Sequence, residues 1–554
     1  MTLKTNCWWR RGAAGVVAMV ASLVSVDGVR ADKPVAVIAI SPVDEILGDV
    51  QYVTQAAGVG DAAGMVVGMG TAYTQGWDRK RPIGVLVSVD DQGQVKPVAF
   101  LPIKNLTEAL KPLEAQIGKP RDAGDGVQEL QGPQPLYLKQ QKDWVFLGQS
   151  PEIVKGVTED PAAVLGPVDK DYDIAVRAFV QNVPEQYKQM ALGQIEFGMQ
   201  NSLQRQPQET DEAFAMRKRM AETQLEQMKQ LFNETDELTL GLNVDKDKQL
   251  TNLDLALTAK PGTKMHTQLA GMRDNKTGFS GFISPDAAVR FVGAAKVSSD
   301  EIQQSVDMLA NAREAALQQI DKDNTLPDDK AKEAAKRLLT DLLKMAEDTI
   351  RSGRMDFAAS VSLKPGAANL VAGGYIVDAK RLEATVRELA TMAEKEPNFP
   401  GVKFNADKHG SVAFHTMDVP VPADEDEARK IFGETLKIAL GLDEKAAYIA
   451  VGQGGLDRVK KAIDDSRSAG DKPTNASEVV VSLGQILKFA DSVQSNPALQ
   501  AMISSLEQAK GKDQIQLRAS AIDNGALYRL QVDEGVLKAI GGAVGVQRQA
   551  AAGF

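Results

Sequence analysis

The stretch Phe357-Ala-Ala-Ser-Val361-Ser-Leu363-Lys-Pro365-Gly366-Ala-Ala-Asn-Leu370-Val-Ala-Gly-Gly-Tyr-Ile-Val377 decides how the chain is read. Phe357, Ala359, Val361 and Leu363 recur at every second position, Pro365-Gly366 turns the chain, and Leu370 to Val377 returns as a second strand. This hairpin lies inside Phe279 to Pro397, which reads strand, Ser-Pro, helix, two long helices, hairpin and closing helix. The long helices are expected over about 299–321 and 328–352, and the closing helix over about 379–396. In the first, Ile302, Val306, Leu309, Ala316 and Ile320 face one way. Pro327, Asp328 and Asp329 open the second with negative charge near its positive end.

The same order recurs elsewhere at different lengths. A first unit begins at Val35-Ala-Val-Ile-Ala-Ile40, and Ser41-Pro42 is expected to cap a helix over 43–56. A helix over 58–75 carries Gly60, Gly64 and Gly68, a small-residue stripe expected to let another backbone approach closely. Ile83 to Val89 and Val95 to Ile103 form its hairpin, and Asn105 to Gln116 its closing helix. A second unit has a strand at Ile174 to Phe179, helices over 185–204 and 210–233, and a hairpin with Leu238, Leu240, Leu242 and Val244 opposite Leu253, Leu255 and Leu257. That alternation predicts that the leucine face is buried and the other is not. Phe282-Ile-Ser284-Pro285 repeats Ala39-Ile40-Ser41-Pro42 and marks the third unit. The fourth runs from Val479 to Leu483 through helices at 484–494 and from Asn496, to a hairpin turned by Asn524-Gly525.

Meanders separate the units. Residues 126–157 read as three strands ending Gly148-Gln149-Ser150-Pro151, and 158–171 as a linker. Residues 402–451 read as a longer meander ending Gly452-Gln453, with a helix at about 428–440. The order predicts an α+β fold of two homologous halves, 32–275 and 278–546, each a mainly antiparallel sheet covered on one face by long amphipathic helices, with a tail at 547–554. Residues 1–31 read as a secretory signal peptide. Lys4, Arg10 and Arg11 precede the apolar run Gly12 to Val26, and Val29-Arg30-Ala31 suits cleavage before Asp32. The protein is therefore expected to be exported, periplasmic or extracellular, with no membrane span in the mature chain.

A hydrophobic content of 43% and a charged content of 25% fit a soluble globular protein. The net charge of −10 argues against nucleic-acid binding and against adhesion to anionic lipid. Loss of the signal, with Lys4, Arg10, Arg11 and Arg30 against Asp27, makes the chain more acidic still. Cys7 is the one cysteine, so a mature chain has no thiol nucleophile or cysteine-built zinc site.

Candidate chemistry is sparse. His409, His415 and Asp407 flank one hairpin but lack the usual ligand spacing, so a turn histidine and a strand histidine are expected rather than a metal site. Asp90-Asp91 and Asp424-Glu425-Asp426-Glu427 lack a calcium-loop pattern and read as solvated surface. Ser41, Ser150 and Ser284 precede proline without the flanking glycines of a nucleophile elbow. The glycines at 58–70 and 452–455 lack the lysine and hydroxyl of a phosphate loop. No catalytic, cofactor-binding or metal residue is put forward, and no cofactor. Met190, Met199, Met216, Met220 and Met228 offer an adaptable apolar helix surface, pointing to an apolar ligand, a lipid or a protein partner.

In its paired Ser-Pro units and its paired strand-to-helix turns, Trp144-Val-Phe-Leu-Gly148-Gln149 and Tyr448-Ile-Ala-Val-Gly452-Gln453, the chain resembles uncharacterised exported repeat proteins of bacteria, of the planctomycete type. That resemblance implies an envelope or extracellular address and no particular reaction. The expected function is a non-enzymatic binding or scaffold protein of the cell envelope. The alternative is a hydrolase acting on envelope material, with a site between the halves or at the meander.

Overall fold

A computed structural model describes residues 34–552, apart from 91–92, 133, 157–160, 167, 207–208, 323–327 and 395–397. The stretch 1–31 read from sequence as a signal peptide, with Cys7, lies outside the described residues. The chain is mixed helix and strand with extensive antiparallel sheet, and it divides into two compact units, Met1–Lys260 and Pro261–Phe554.

The first unit starts with β1 (Pro34–Ile40), the helices α1 (Val43–Ala56) and α2 (Gly60–Tyr73), and the hairpin β2 (Ile83–Val89) and β3 (Val95–Pro102). The expected closing helix is broken: α3 (Leu106–Leu110), capped by Asn105, passes into a 3-10 turn at Lys111-Pro112 and one last turn, Glu114–Ile117. The meander is β4 (Arg121–Asp122), β5 (Val127–Gln131), β6 (Pro135–Gln141) and β7 (Trp144–Gly148). Three short helices follow, α4 (Pro151–Lys155), α5 (Pro161–Leu165) and α6 (Val168–Asp171). Then come β8 (Ile174–Phe179), the long helices α7 (Glu185–Ser202) and α8 (Asp211–Glu234), and the hairpin β9 (Thr235–Asp245) and β10 (Leu250–Ala259). The sheet order is β10-β9-β8-β1-β2-β3-β7-β6-β5-β4, every neighbour antiparallel.

The second unit opens with α9 (Lys264–Ala270) and β11 (Lys276–Thr277), so 261–275 lies here, where Arg273 donates to the Ile522 carbonyl. Next are β12 (Val289–Lys296), α10 (Ser299–Lys322), α11 (Asp329–Arg351), and the hairpin β13 (Arg354–Lys364) and β14 (Ala367–Tyr375), followed by α12 (Ala379–Ala393). The meander has four strands, β15 (Lys403–His409), β16 (Val412–Pro420), β17 (Thr435–Asp443) and β18 (Ala446–Val451). The helix expected at 428–440 is instead the short α13 (Asp426–Phe432), and the residues after it enter β17. The unit ends with α14 (Gly455–Ala469), β19 (Lys472–Pro473), β20 (Ser477–Ser482), α15 (Leu483–Val493), α16 (Pro497–Gln508), the hairpin β21 (Gln514–Ile522) and β22 (Gly525–Asp533), and α17 (Glu534–Ala552). The stretch expected as a tail continues α17 to residue 552. The main sheet order is β22-β21-β20-β12-β13-β14-β18-β17-β16-β15, again antiparallel throughout.

Several local expectations need correction. Phe279–Pro285 is not a strand entering a helix. It is a 3-10 turn at Ser280–Phe282 followed by a turn, and its rings plug the core. Phe282 is fully buried and stacks on Tyr448 at 5.7 Å, and a side chain at Gly373 would strike both Phe279 and Phe282. The strand of that unit is β12, and its helix start is Ser298. The Ser298 hydroxyl accepts from the Glu301 N–H while the Glu301 carboxylate accepts from the Ser298 N–H, a reciprocal cap. Ser41 does not cap α1 either. Its hydroxyl donates to the Tyr172 carbonyl and its N–H to the Asp173 carbonyl. Ser150 does cap, accepting from the Ile153 N–H. In α2, Gly64 and Gly68 have nothing within 4 Å of where a side chain would start, so the glycine stripe carries no close packing.

Candidate functional site

Strand pleating divides the first unit's sheet into two apolar faces. One holds Val37, Ala39, Phe100, Phe146 and Ala175, all buried. It is covered by α4 and by α5, which lies in the stretch read from sequence as a linker. Leu165 of α5 and Val154 of α4 are both fully buried in this core. Gly84 permits the approach, since a side chain there would meet Phe100 and Leu165 at under 3 Å.

The opposite face is built by register. Leu253 pairs with Leu242 and Leu255 with Leu240. Leu242 pairs with Ile174 and Leu240 with Val176. Ile174 pairs with Ile40 and Val176 with Ile38, which continue to Ile83 and Val85. Cross-strand partners share a face, so these side chains form one aliphatic surface across five strands. At about 4.8 Å per strand it is roughly 19 Å wide. It is most open on β8, β9 and β10, where Leu240 is 47%, Leu253 42% and Ile174 40% exposed.

This reverses the expectation for the β9–β10 hairpin. Leu240, Leu253 and Leu255 lie on the open side, and Gly241 and Asp254 beside them are buried. Asp254 is completely buried, and its carboxylate accepts a hydrogen bond from the Tyr172 hydroxyl. Gly241 lies under the same ring, at 2.4 Å from a would-be side chain. Period-two alternation separates the faces but does not say which one the rest of the chain covers. Here α4, α5 and Tyr172 cover the polar side, and the apolar pair Val164-Leu165 is the sequence signal for it.

Just before β8, Asp173 is buried. Its carboxylate accepts from the Val244 N–H at 2.5 Å, and its neighbour Asp49 is paired with Lys246 at 2.6 Å. Burial, with Asp49 and Glu45 nearby, pushes the Asp173 carboxyl up to about 6. The helices α7 and α8 add exposed apolar side chains, with Phe197 67%, Met190 56% and Met220 53% exposed. Phe214, Leu225, Met228 and Phe232 form the least exposed side of α8, with Leu225 buried and the other three half-buried.

The histidines do not converge. Asp407 pairs with Phe414 and His409 with Val412 across β15–β16, which puts both on the face opposite His415. His409 contacts Asp464 at 2.7 Å, and Asp407 contacts Lys460 at 2.5 Å, both on α14. His415 is buried, its Nδ1 accepts from the Asn405 N–H, and its Nε2 lies 3.7 Å from Glu383. Burial holds its pKa below the ordinary histidine value. Among the described residues no three His, Cys, Asp or Glu side chains are grouped to hold a metal, and no helix is long and apolar enough to cross a membrane. Asp90, expected as solvated surface, is buried beside Lys96 at 3.2 Å, whereas 424–427 are exposed. Gln453 of the Gly-Gln turn donates to the Phe432 and Thr435 carbonyls, a structural use.

Compared with family models, curated proteins and solved structures, the chain matches none of them.

Proposed function

We propose that this is an exported, non-enzymatic binding protein of the cell envelope, built from two homologous halves, whose open sheet face receives the acyl chain of a lipid. The observation that carries the reading is the aliphatic face of β8, β9 and β10, with Leu240 and Leu253 in mid-strand and Ile174 at the start of β8 all at least two-fifths exposed. Such a surface gives a guest no hydrogen bond, so only apolar matter gains by lying on it. Its centre has no Trp, Tyr or Arg, the residues that anchor protein partners, which favours a flexible chain over a protein. The net charge of −10 favours a single lipid molecule over an anionic membrane surface.

Duplication is supported by connectivity. In each unit the first three strands are central, the meander extends one side, and the last three strands extend the other. Each of β1, β8, β12 and β20 is followed by two helices and a hairpin. The finer claim of helical cover takes a modified form. The short helices α4 and α5 in one unit, and 280–282 with α14 in the other, supply cover to one face, and the long amphipathic helices are left to shield the open face when it holds a guest.

The test is displacement of a fluorescent apolar probe, 1-N-phenylnaphthylamine, by fatty acids of increasing length. Each added buried methylene is expected to strengthen binding by about 0.8 kcal/mol, roughly fourfold. Leu240→Glu with Leu255→Glu, at partly exposed positions, should weaken it by at least about tenfold with the fold retained by circular dichroism. Binding independent of chain length, or unchanged in that variant, would defeat the proposal.

A further inference from the structure

The second unit holds a cleft of about 660 Å³ that has no part in the acyl-chain reading. One wall is the 3-10 turn at Ser280–Phe282, another is β13 and β14, and the third is α14 with the segment at 472–474. Glycine sets two of these walls. A side chain at Gly281 would lie 2.1 Å from the Ala462 carbonyl, so only glycine lets the turn close on α14, where its N–H donates to the Ser466 hydroxyl. Gly452, at φ +101°, leaves room beside the Asn369 carboxamide, 2.9 Å from a would-be side chain.

Two polar atoms in this lining are buried without any hydrogen-bond partner among the described residues, the Asn369 Oδ1 and the Ser280 Oγ. Asn369 is only 8% exposed. An orphaned buried acceptor is destabilising, so a strand that keeps one at a cleft wall marks a place where a donor is brought in from outside. Ser360, also buried, and Ser362 add hydroxyls on the same wall. At the mouth, Arg458 and Lys472 are exposed and their side chains have no ion-pair or hydrogen-bond partner among the described residues, while Lys461 is matched by Asp465 at 2.5 Å. Asp286 is the remaining acid. The cleft thus offers two uncommitted cations at its rim, a carboxylate, and hydroxyl and amide groups inside. No aromatic ring lines it.

We infer that this cleft binds a small polyhydroxylated anion. The charged end meets Arg458 and Lys472, and ligand hydroxyls donate to Asn369 Oδ1 and Asp286 while accepting from the serines. Carboxylate and phosphate share this chemistry, so the probes are glucuronate and glycerol 3-phosphate, with glucose and acetate as the neutral and non-hydroxylated controls. Titration calorimetry on the mature chain should show saturable binding of at least one anionic polyol, with each control at least about tenfold weaker. The surface variant Arg458→Gln with Lys472→Gln, which leaves the core untouched, should weaken anion binding by about tenfold or more. Asn369→Asp, which places a negative charge on the same wall, should do likewise. Glucose bound as well as glucuronate, heats unchanged in both variants, or no saturation by either anion up to about 10 mM would overturn the assignment. Failure of fatty-acid binding would not touch it, because the two sites share no residue.

Discussion

Asp173→Asn removes a buried carboxyl expected to mark the pH dependence of the first unit. The native carboxyl is pushed from 3.8 to about 6, chiefly by desolvation. A carboxyl raised in the fold makes the folded state bind the extra proton. Its contribution is present in full below the unfolded value of 3.8 and is lost as pH rises through about 6. A shift of about two units is worth roughly 3 kcal/mol at its limit, and about 2 kcal/mol of that falls between about pH 4.5 and pH 8. Asparagine keeps an oxygen for the Val244 N–H and turns an N–H toward the Asp49 side, but it does not titrate. Urea unfolding of both chains at the two pH values checks the sum. The variant should gain about 2 kcal/mol on the native chain in going from the lower to the higher pH. A gap that stays constant with pH would refute the reasoning, whatever its absolute size, since the cost of the substitution itself cancels between conditions.

The remaining expectations are local. His415, buried and accepting from Asn405, should titrate below an ordinary histidine; its lowered pKa means stability is lost as pH falls through the unfolded value of 6.5. NMR titration of the ring, and loss of that acid sensitivity in His415→Asn, would show it; a ring titrating at or above 6.5 would contradict it. Gly281→Ala should destabilise by more than about 2 kcal/mol, because the added carbon meets backbone rather than a movable side chain. Gly64→Ala and Gly68→Ala, with open space around both, should each stabilise by about 0.5–1 kcal/mol in thermal or urea unfolding.

Much of the fold could be read from local pattern. Pro365-Gly366 and Asn524-Gly525 fix their hairpins because Gly366 and Asn524 adopt positive φ, and the long helices start where Thr210, Asp328 and Asn496 accept from backbone N–H groups. What failed was reading by analogy. Ser284-Pro285 looks like Ser41-Pro42, yet one pair lies in a turn beside a 3-10 plug and the other follows a strand without capping, because neighbouring Phe279 and Phe282 have a core to fill. Strand parity alone would have separated His409 from His415, since Asp407 and His409 share one face and the hairpin register sends His415 to the other. The polar cleft left no mark in sequence. Ser280, Asn369 and Arg458 come from a turn, a strand and a helix nearly 180 residues apart, and nothing local says that their walls meet.

The open face of the first unit follows from a conflict that local pattern could not resolve. Tyr172 has a hydroxyl to satisfy and Asp254 a carboxylate, and burying them together costs less than burying either alone. Once Tyr172 closes over Asp254, the pleat sends Leu253 and Leu255 to the other side, with Leu240 opposite. A one-residue slip of β10 would cover the leucines but expose the Tyr172–Asp254 bond and break the Leu240–Leu255 register, so the hairpin cannot relieve the exposure by itself. Tyr172→Phe with Asp254→Leu removes the polar pair and makes both faces of β10 apolar. If the sealed hydrogen bond sets the register, that double variant should permit slippage, seen as exchange broadening of the β9 and β10 amides in NMR spectra. Sharp, unshifted amides would show that the turn at 246–249 fixes the hairpin unaided.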